Sequence, residues 1–209
     1  MSVKSALLIV DVQLDFCPGG ALPVFEGDTI IPVLNNYINL FSGHNLPVFA
    51  SRDWHARQTT HFKEFGGTWP QHCVRDTKGA QFHPVLILPK GSIILSKGMS
   101  FDGDGYSAFQ AVDDQETEFD ALLRKQGITS LFIGGLATDY CVKWTVLDAL
   151  QFGYKATLLV DAIKGVNIKP SDSDVALDEM IRLGARKTTF EKLYKAMAEA
   201  FESYHKKGG

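Results

Sequence analysis

Apolar residues fall into two alternating patterns along this chain. Short unbroken runs recur at Ala6-Leu7-Leu8-Ile9-Val10, Pro47-Val48-Phe49-Ala50, Ser92-Ile93-Ile94-Leu95, Ser130-Leu131-Phe132-Ile133 and Ala156-Thr157-Leu158-Leu159-Val160. A shorter run, Lys187-Thr188-Thr189-Phe190, closes the series. Runs without polar alternation suit strands covered on both faces, as in a parallel sheet. The gaps carry helical spacing. Residues 29–41 place Ile30, Val33, Leu34, Ile38 and Phe41 on one face, with Pro32 in a first turn that tolerates it. Residues 117–126, 138–152 and 172–183 repeat the pattern, and each is followed by a glycine (Gly127, Gly153, Gly184) where a left-handed cap is expected. A last helix is predicted over 191–205, fraying into Lys206-Lys207-Gly208-Gly209. Strands alternating with helices predict right-handed βαβ units. The expected fold is therefore α/β, a three-layer, doubly wound, mostly parallel sheet of about six strands with helices on both faces. One long irregular stretch, from Arg52 to about Pro89, is rich in His, Trp, Phe and Gly, and loops of that length are usually functional.

Composition narrows the class. The chain has 209 residues, 45% of them hydrophobic and 22% charged, which suits one globular domain spanning 1–209 with a sizeable core. A net charge of −3 supplies no basic stripe for nucleic acid. No apolar run approaches the length of a membrane span, and the N-terminus reads as a strand and not as a signal peptide, so the cytoplasm is the default expectation. The three cysteines, Cys17, Cys73 and Cys141, are odd in number and widely spaced, which argues against a disulfide framework. Cys17 and Cys73 are expected to pack as small buried hydrophobes.

In an open parallel sheet, ligands bind outside the carboxyl ends of the strands. Asp11 ends the first run, Asp53 follows the second, Lys97 ends the third, and Cys141 lies on the first turn of the helix after the fourth. Thr138 is the expected N-cap of that helix. A helix N-terminus lowers a thiol pKa and offers free N–H groups to an oxyanion, so Cys141 is the candidate nucleophile. Gly134-Gly135 is expected to let the chain turn and a substrate approach. Asp11, after five apolar residues, would be costly to leave unpaired. It is the candidate acid–base group, with Lys97 orienting the pair; the bland alternative is a structural ion pair at the sheet edge. Asp53 and His55 stand two apart, so in an extended segment they face one side. With His61 and His72 from the same loop they can hold Zn²⁺, Mn²⁺ or Fe²⁺, although loop histidines also serve to cap turns.

These residues resemble a known family. Leu8-Ile9-Val10-Asp11-Val12-Gln13-Leu14-Asp15-Phe16, Asp53-Trp54-His55, Trp69-Pro70-Gln71-His72-Cys73, Ser96-Lys97-Gly98 and Gly135-Leu136-Ala137-Thr138-Asp139-Tyr140-Cys141-Val142 match, in order, the motif blocks of nicotinamidases within the isochorismatase-like cysteine hydrolase superfamily. The resemblance covers nearly the whole chain. It implies an Asp11–Lys97–Cys141 triad and one divalent ion at Asp53, His55 and His72. Zinc is the first expectation, with iron or manganese as alternatives, and His61 is a position where relatives differ. It further implies a cis peptide between Leu136 and Ala137, an oxyanion hole from the Ala137 and Cys141 amides, and a ring pocket walled by Phe16, Leu22, Trp69 and Tyr106. The implied reaction converts nicotinamide, and pyrazinamide, to the free acid and ammonia through a thioester, in NAD salvage. The expected partner is that small molecule, with neither nucleic acid nor membrane; self-association is left open. Leu14, Ala56 and the segment Phe101-Asp102-Gly103-Asp104-Gly105 depart from the family pattern, the last at the pocket mouth. The rival expectations are a superfamily amidohydrolase for a carbamoyl or ureido substrate, a metallohydrolase with Cys141 as bystander, and a non-catalytic ligand-binding module.

Overall fold

The computed structural model describes residues 4–207, with side chains described through residue 199. Six strands form one sheet: β1 (Ser5–Val10), β2 (Val48–Asp53), β3 (Ile93–Lys97), β4 (Ser130–Leu136), β5 (Lys155–Lys164) and β6 (Arg186–Thr188). Their order is β3-β2-β1-β4-β5-β6. Every neighbouring pair is parallel, so the mostly parallel expectation becomes a wholly parallel one. The helices are α1 (Ile31–Gly43), α2 (Phe119–Lys125), α3 (Lys143–Gln151), α4 (Asp172–Arg182) and α5 (Phe190–Lys207).

Alternate residues of β1 feed two cores, because successive strand side chains point to opposite faces. Ala6, Leu8 and Val10 pack with Leu122 and Leu123 of α2, Val146 and Ala149 of α3 and Met180 of α4. Leu7 and Ile9 pack with Leu34, Ile38 and Phe41 of α1 and Leu193 of α5. β1 is thus buried on both sides, as its unbroken apolar run implies.

Three boundaries differ from expectation. α1 begins at Ile31 after a tight turn over Gly27–Ile30. β6 stops at Thr188, and Phe190 opens α5 instead of closing the strand. Its N–H donates to Asp161 Oδ2 of β5 at 2.8 Å, and its ring packs edge-on against Tyr37. α5 continues through Lys207, past the expected start of fraying, while Gly208 and Gly209 lie outside the described residues.

The chain winds outward from β1 to β3 on one side and from β4 to β6 on the other. The winding reverses between β1 and β4, which opens a crevice at their carboxyl ends. The crossover from β2 to β3 is the irregular stretch, residues 54–92, whose one helical piece is the short turn Lys63–Phe65. Lone bridges, His55 with Val74 and Phe62 with Trp69, knit it together.

Candidate active site

The expected residues gather at that crevice. Asp11 follows β1 in left-handed backbone (φ 50°), which turns its side chain beneath the strand ends. It is fully buried, and Ser51 Oγ donates to its Oδ1 at 2.7 Å. Asp53 and Lys97 end β2 and β3 and are direct partners across those strands. The Lys97 ammonium, 1% exposed, lies 2.7 Å from Asp11 Oδ2, bonds Asp53 Oδ1, and sits 3.5 Å from Cys141 Sγ. Asp11 Oδ2 receives no aligned hydrogen bond, which leaves it an acceptor beside the thiol. Carboxylate oxygens of Asp11 and Asp53 and the Cys141 sulfur all lie within 4.8 Å of one another.

Cys141 is carried differently from expectation. Residues Thr138–Val142 form a widened π turn ahead of α3, in which Ala137 takes the cap position with no side-chain cap. Thr138 is buried within the turn and does not cap it. The glycine pair serves strand packing and not substrate approach. A side chain on Gly135 (φ 126°) would start 2.1 Å from the Val10 carbonyl oxygen, so glycine is what lets β4 close on β1. The Leu136–Ala137 peptide is cis.

Electrostatics correct a second expectation. Burial pushes the Cys141 thiol well above its ordinary range; the Lys97 charge offsets this only partly, and the Asp11 and Asp53 charges reinforce it. At neutral pH the resting sulfur is therefore a thiol, and its activation needs a base within reach. Asp11 is raised for the same reason, burial outweighing the pull of Lys97, with the Asp53 charge adding to it. Burial also opposes the Asp53 charge, but that carboxyl is held below its usual range, with the Lys97 charge as the largest lowering cause. Lys97, despite its burial, is kept protonated by Asp11 and Asp53.

Beside this cluster, nitrogens of His55, His61 and His72 converge within 4.8 Å of one another. Asp53 Oδ2 lies 3.5 Å from His55 Nε2 and 3.9 Å from His72 Nε2. Each ring is held by its other nitrogen: His55 Nδ1 faces the Gly98 carbonyl at 3.0 Å, His72 Nδ1 the Pro70 carbonyl at 2.7 Å, and His61 Nδ1 the Asp104 carboxylate at 2.8 Å. Carbonyls and an ionised carboxylate only accept, so each Nδ1 bears the hydrogen and each Nε2 is turned toward the centre. His55 Nε2 is fully buried without any partner, a costly state for a polar atom unless a cation occupies the centre. Burial holds His72 down to about 4 and lowers His61 as well, so both are neutral at pH 7. Three imidazoles and a carboxylate make a cluster able to bind a metal ion, and the donor set fits zinc, manganese or iron.

A cavity joins the two clusters. Its walls include Phe16, Leu22, Trp69, Tyr106, Ala137 and Cys141, with Asp53, His61 and His72 at the metal-binding side and Tyr140 and Val166 completing it. Trp69 Nε1 donates to Tyr106 Oη at 2.8 Å, and Tyr140 stands edge-on to Trp69. A larger groove of about 690 Å³ shares Tyr106 with this cavity and is otherwise lined mainly by Lys97 to Ser100, Gly103 to Ser107 and α3, without the sulfur or the imidazoles in its wall. Cys17 and Cys73 are buried and line neither space.

Sequence reasoning passed over several contacts. Gln13, fully buried, clasps Asp53 through both amide atoms: its Nε2 donates to the Asp53 carbonyl and its Oε1 accepts from the Asp53 N–H, each at 2.8 Å. Its place two residues after Asp11 was the available signal. Ser51, two before Asp53 and so on the same strand face, could likewise have been read. Val166 carries no local signal; Asp139 brings its segment to the cavity by accepting from the Val166 and Asn167 N–H groups.

Known proteins are similar to this chain in sequence and in structure. The nicotinamidase of Escherichia coli strain K12 is 43% identical over 198 residues, covering 86% of this chain and 92% of that protein. The nicotinamidase/pyrazinamidase of Mycobacterium tuberculosis is 37% identical over 179 residues, covering 84% and 93%. The crystal structure of the pyrazinamidase of Pyrococcus horikoshii in complex with zinc superposes with a TM-score of 0.82 at 45% identity, covering 89% of this chain and 99% of that one. The isochorismatase domain matches residues 5–192, and the chain belongs to that family.

Proposed function

We infer that the protein is a nicotinamidase, hydrolysing nicotinamide and pyrazinamide to the free acid and ammonia. The observation that carries this reading is a thiol 3.5 Å from a lysine that is itself paired with two carboxylates, at the floor of an aromatic cavity bordered by an imidazole cluster. The relatives named above support the substrate class.

In this reading the pyridine ring lies between Phe16, Trp69 and Tyr106, which supply apolar area and ring contacts. Asp53, His55, His61 and His72 would hold a divalent ion, with zinc proposed; when bound it supplies a Lewis acid that orients a ring nitrogen or a polar group of the substrate. Asp11 takes the thiol proton as the sulfur adds to the amide carbonyl. The Ala137 and Cys141 amides receive the developing oxyanion. The proton passes from Asp11 to the amide nitrogen, the carbon–nitrogen bond breaks, and ammonia leaves a thioester. A water then gives a proton to Asp11 and adds to the thioester carbonyl; the acid departs, and the proton returns to sulfur. Lys97 holds Asp11 against the thiol throughout. The neutral resting thiol fits this order of events, since Asp11 acts only once a carbonyl is in place. The 1–209 chain would work as one domain, in the cytoplasm, in NAD salvage.

Ammonia release from nicotinamide, measured with and without a chelator, tests the reading. Turnover on nicotinamide is expected. Its absence with metal-loaded protein, alongside turnover of a carbamoyl or ureido substrate, would move the chain to the rival amidohydrolase class.

A further inference from the structure

The three imidazole anchors are not alike. His55 and His72 are held by backbone carbonyls, of Gly98 and Pro70, which any residue type would supply. His61 is held by a side chain, Asp104, and its ring has no other hydrogen bond among the described residues. His61 is almost fully buried, whereas the Asp104 side chain is 62% exposed. Asp104 belongs to the Asp- and Gly-rich segment before Tyr106, one of the places where the sequence departs from the family pattern.

That segment is seated on the histidine loop at several points. The Phe101 carbonyl accepts from the Thr60 N–H at 2.9 Å, from Thr59 Oγ1 at 2.9 Å and from Thr60 Oγ1 at 3.1 Å, tying the segment to the turn that carries His61. Gly98 lies directly on the His55 ring, where a Cβ would start 2.4 Å from Cε1, and Gly105 closes on Gly98 in turn. Both glycines have positive φ (66° and 67°), so this close seating is open to them and strained for other residues. The outcome is a carboxylate carried over the top of one imidazole, 43 residues from it in sequence.

We propose that Asp104 is a positioning residue that makes His61 a direct ligand of the metal centre. It fixes the Nδ1–H tautomer and aims Nε2 at the point shared with His55 and His72. A carboxylate behind a ligating imidazole also raises the basicity of the metal-facing nitrogen. The inference rests on the reading of this cluster as a metal site. Two neighbours already fix themselves through the backbone, so His61 is the ligand whose recruitment depends on a side chain outside the centre.

Metal-stripped full-length protein titrated with zinc against a chromophoric chelator tests the proposal. Asp104→Ala is expected to weaken zinc binding about tenfold, the lower end of the range for outer carboxylates because water can reach this one. Asp104→Asn is expected to retain most of the affinity, since its amide oxygen still accepts from Nδ1–H. In a His61→Ala background, Asp104→Ala is expected to have no further effect, because Asp104 acts through that ring alone. The cobalt-loaded Asp104→Ala protein should show the visible absorption of cobalt-loaded His61→Ala, not that of the parent. Parent-like zinc affinity in Asp104→Ala overturns the proposal, and so does an undiminished loss in the His61→Ala background. A parent protein that releases ammonia but binds no zinc overturns the metal-site reading instead, and this inference with it.

Discussion

Two polar clusters meet at one cleft and are held in opposite ways. Asp11, Asp53 and Lys97 stand at the ends of three adjacent strands: register pairs Asp53 with Lys97, and left-handed backbone just past β1 brings Asp11 to the same lysine. The histidines come from a crossover without a regular helix, and hydrogen bonds from their outer nitrogens set their positions. The difference follows from charge. Ions taken out of water need close, fixed partners, because an uncompensated buried charge costs several kcal/mol. Imidazoles tolerate weaker support, which a bound cation would then complete. In the function proposed above, the sheet would carry the acid–base chemistry and the loop the part that a metal organises.

The largest expected effect falls on the strand side. Cys141→Ala should lower nicotinamide turnover by roughly 10⁴-fold or more while leaving zinc content unchanged, measured by ammonia release and elemental analysis. Retention of near-normal turnover would make the metal cluster the chemical centre and invert the comparison.

Lys97→Met comes next. It leaves Asp11 and Asp53 buried together and is expected to destabilise the metal-free protein by about 3–5 kcal/mol in urea unfolding, whereas His61→Ala, removing a neutral ring, costs much less. The pH dependence of this variant has a definite sign. The Asp11 pKa is already raised by burial and rises further once Lys97 no longer opposes it. A carboxyl that binds its proton more tightly when folded adds stability at low pH and loses it as pH climbs through the folded pKa, so Lys97→Met should recover stability on mild acidification. A loss that is flat with pH would show that the lysine acts through packing.

Metal removal sharpens the contrast from the loop side. With zinc at a hundred times its Kd, chelation should cost about 2.7 kcal/mol of apparent stability. Hydrogen exchange should speed up across residues 54–89 and stay slow in β1 and β4. Equal acceleration in both regions would mean that the two clusters are one cooperative unit.

The smallest effect is in thiol labelling of the folded protein. All three thiols are raised by burial, so access decides: Cys141 lines the cavity, whereas Cys17 and Cys73 are buried away from it. A small alkylating reagent should mark Cys141 first and spare Cys17 and Cys73.

Legible in the residues alone were the alternation of strands and helices, the glycines Gly127, Gly153 and Gly184 that end three of those helices in positive φ, and the polar residues at the strand ends. Each is legible locally, because burial on one face or two imposes a period on the neighbouring residues. Motif blocks then singled out the cavity walls at Phe16, Leu22, Trp69 and Tyr106. Only the tertiary structure decided that Phe190 starts a helix, that Thr138 caps nothing, that Gly135 serves the contact of β4 with β1, and that the resting sulfur is a thiol. It alone brought Gln13 to Asp53 and Asp104 to His61, pairs 40 and 43 residues apart. The physical reason is range. Periodicity is written into adjacent positions, whereas a pKa or the aim of an imidazole is set by whichever distant groups the fold lays beside it.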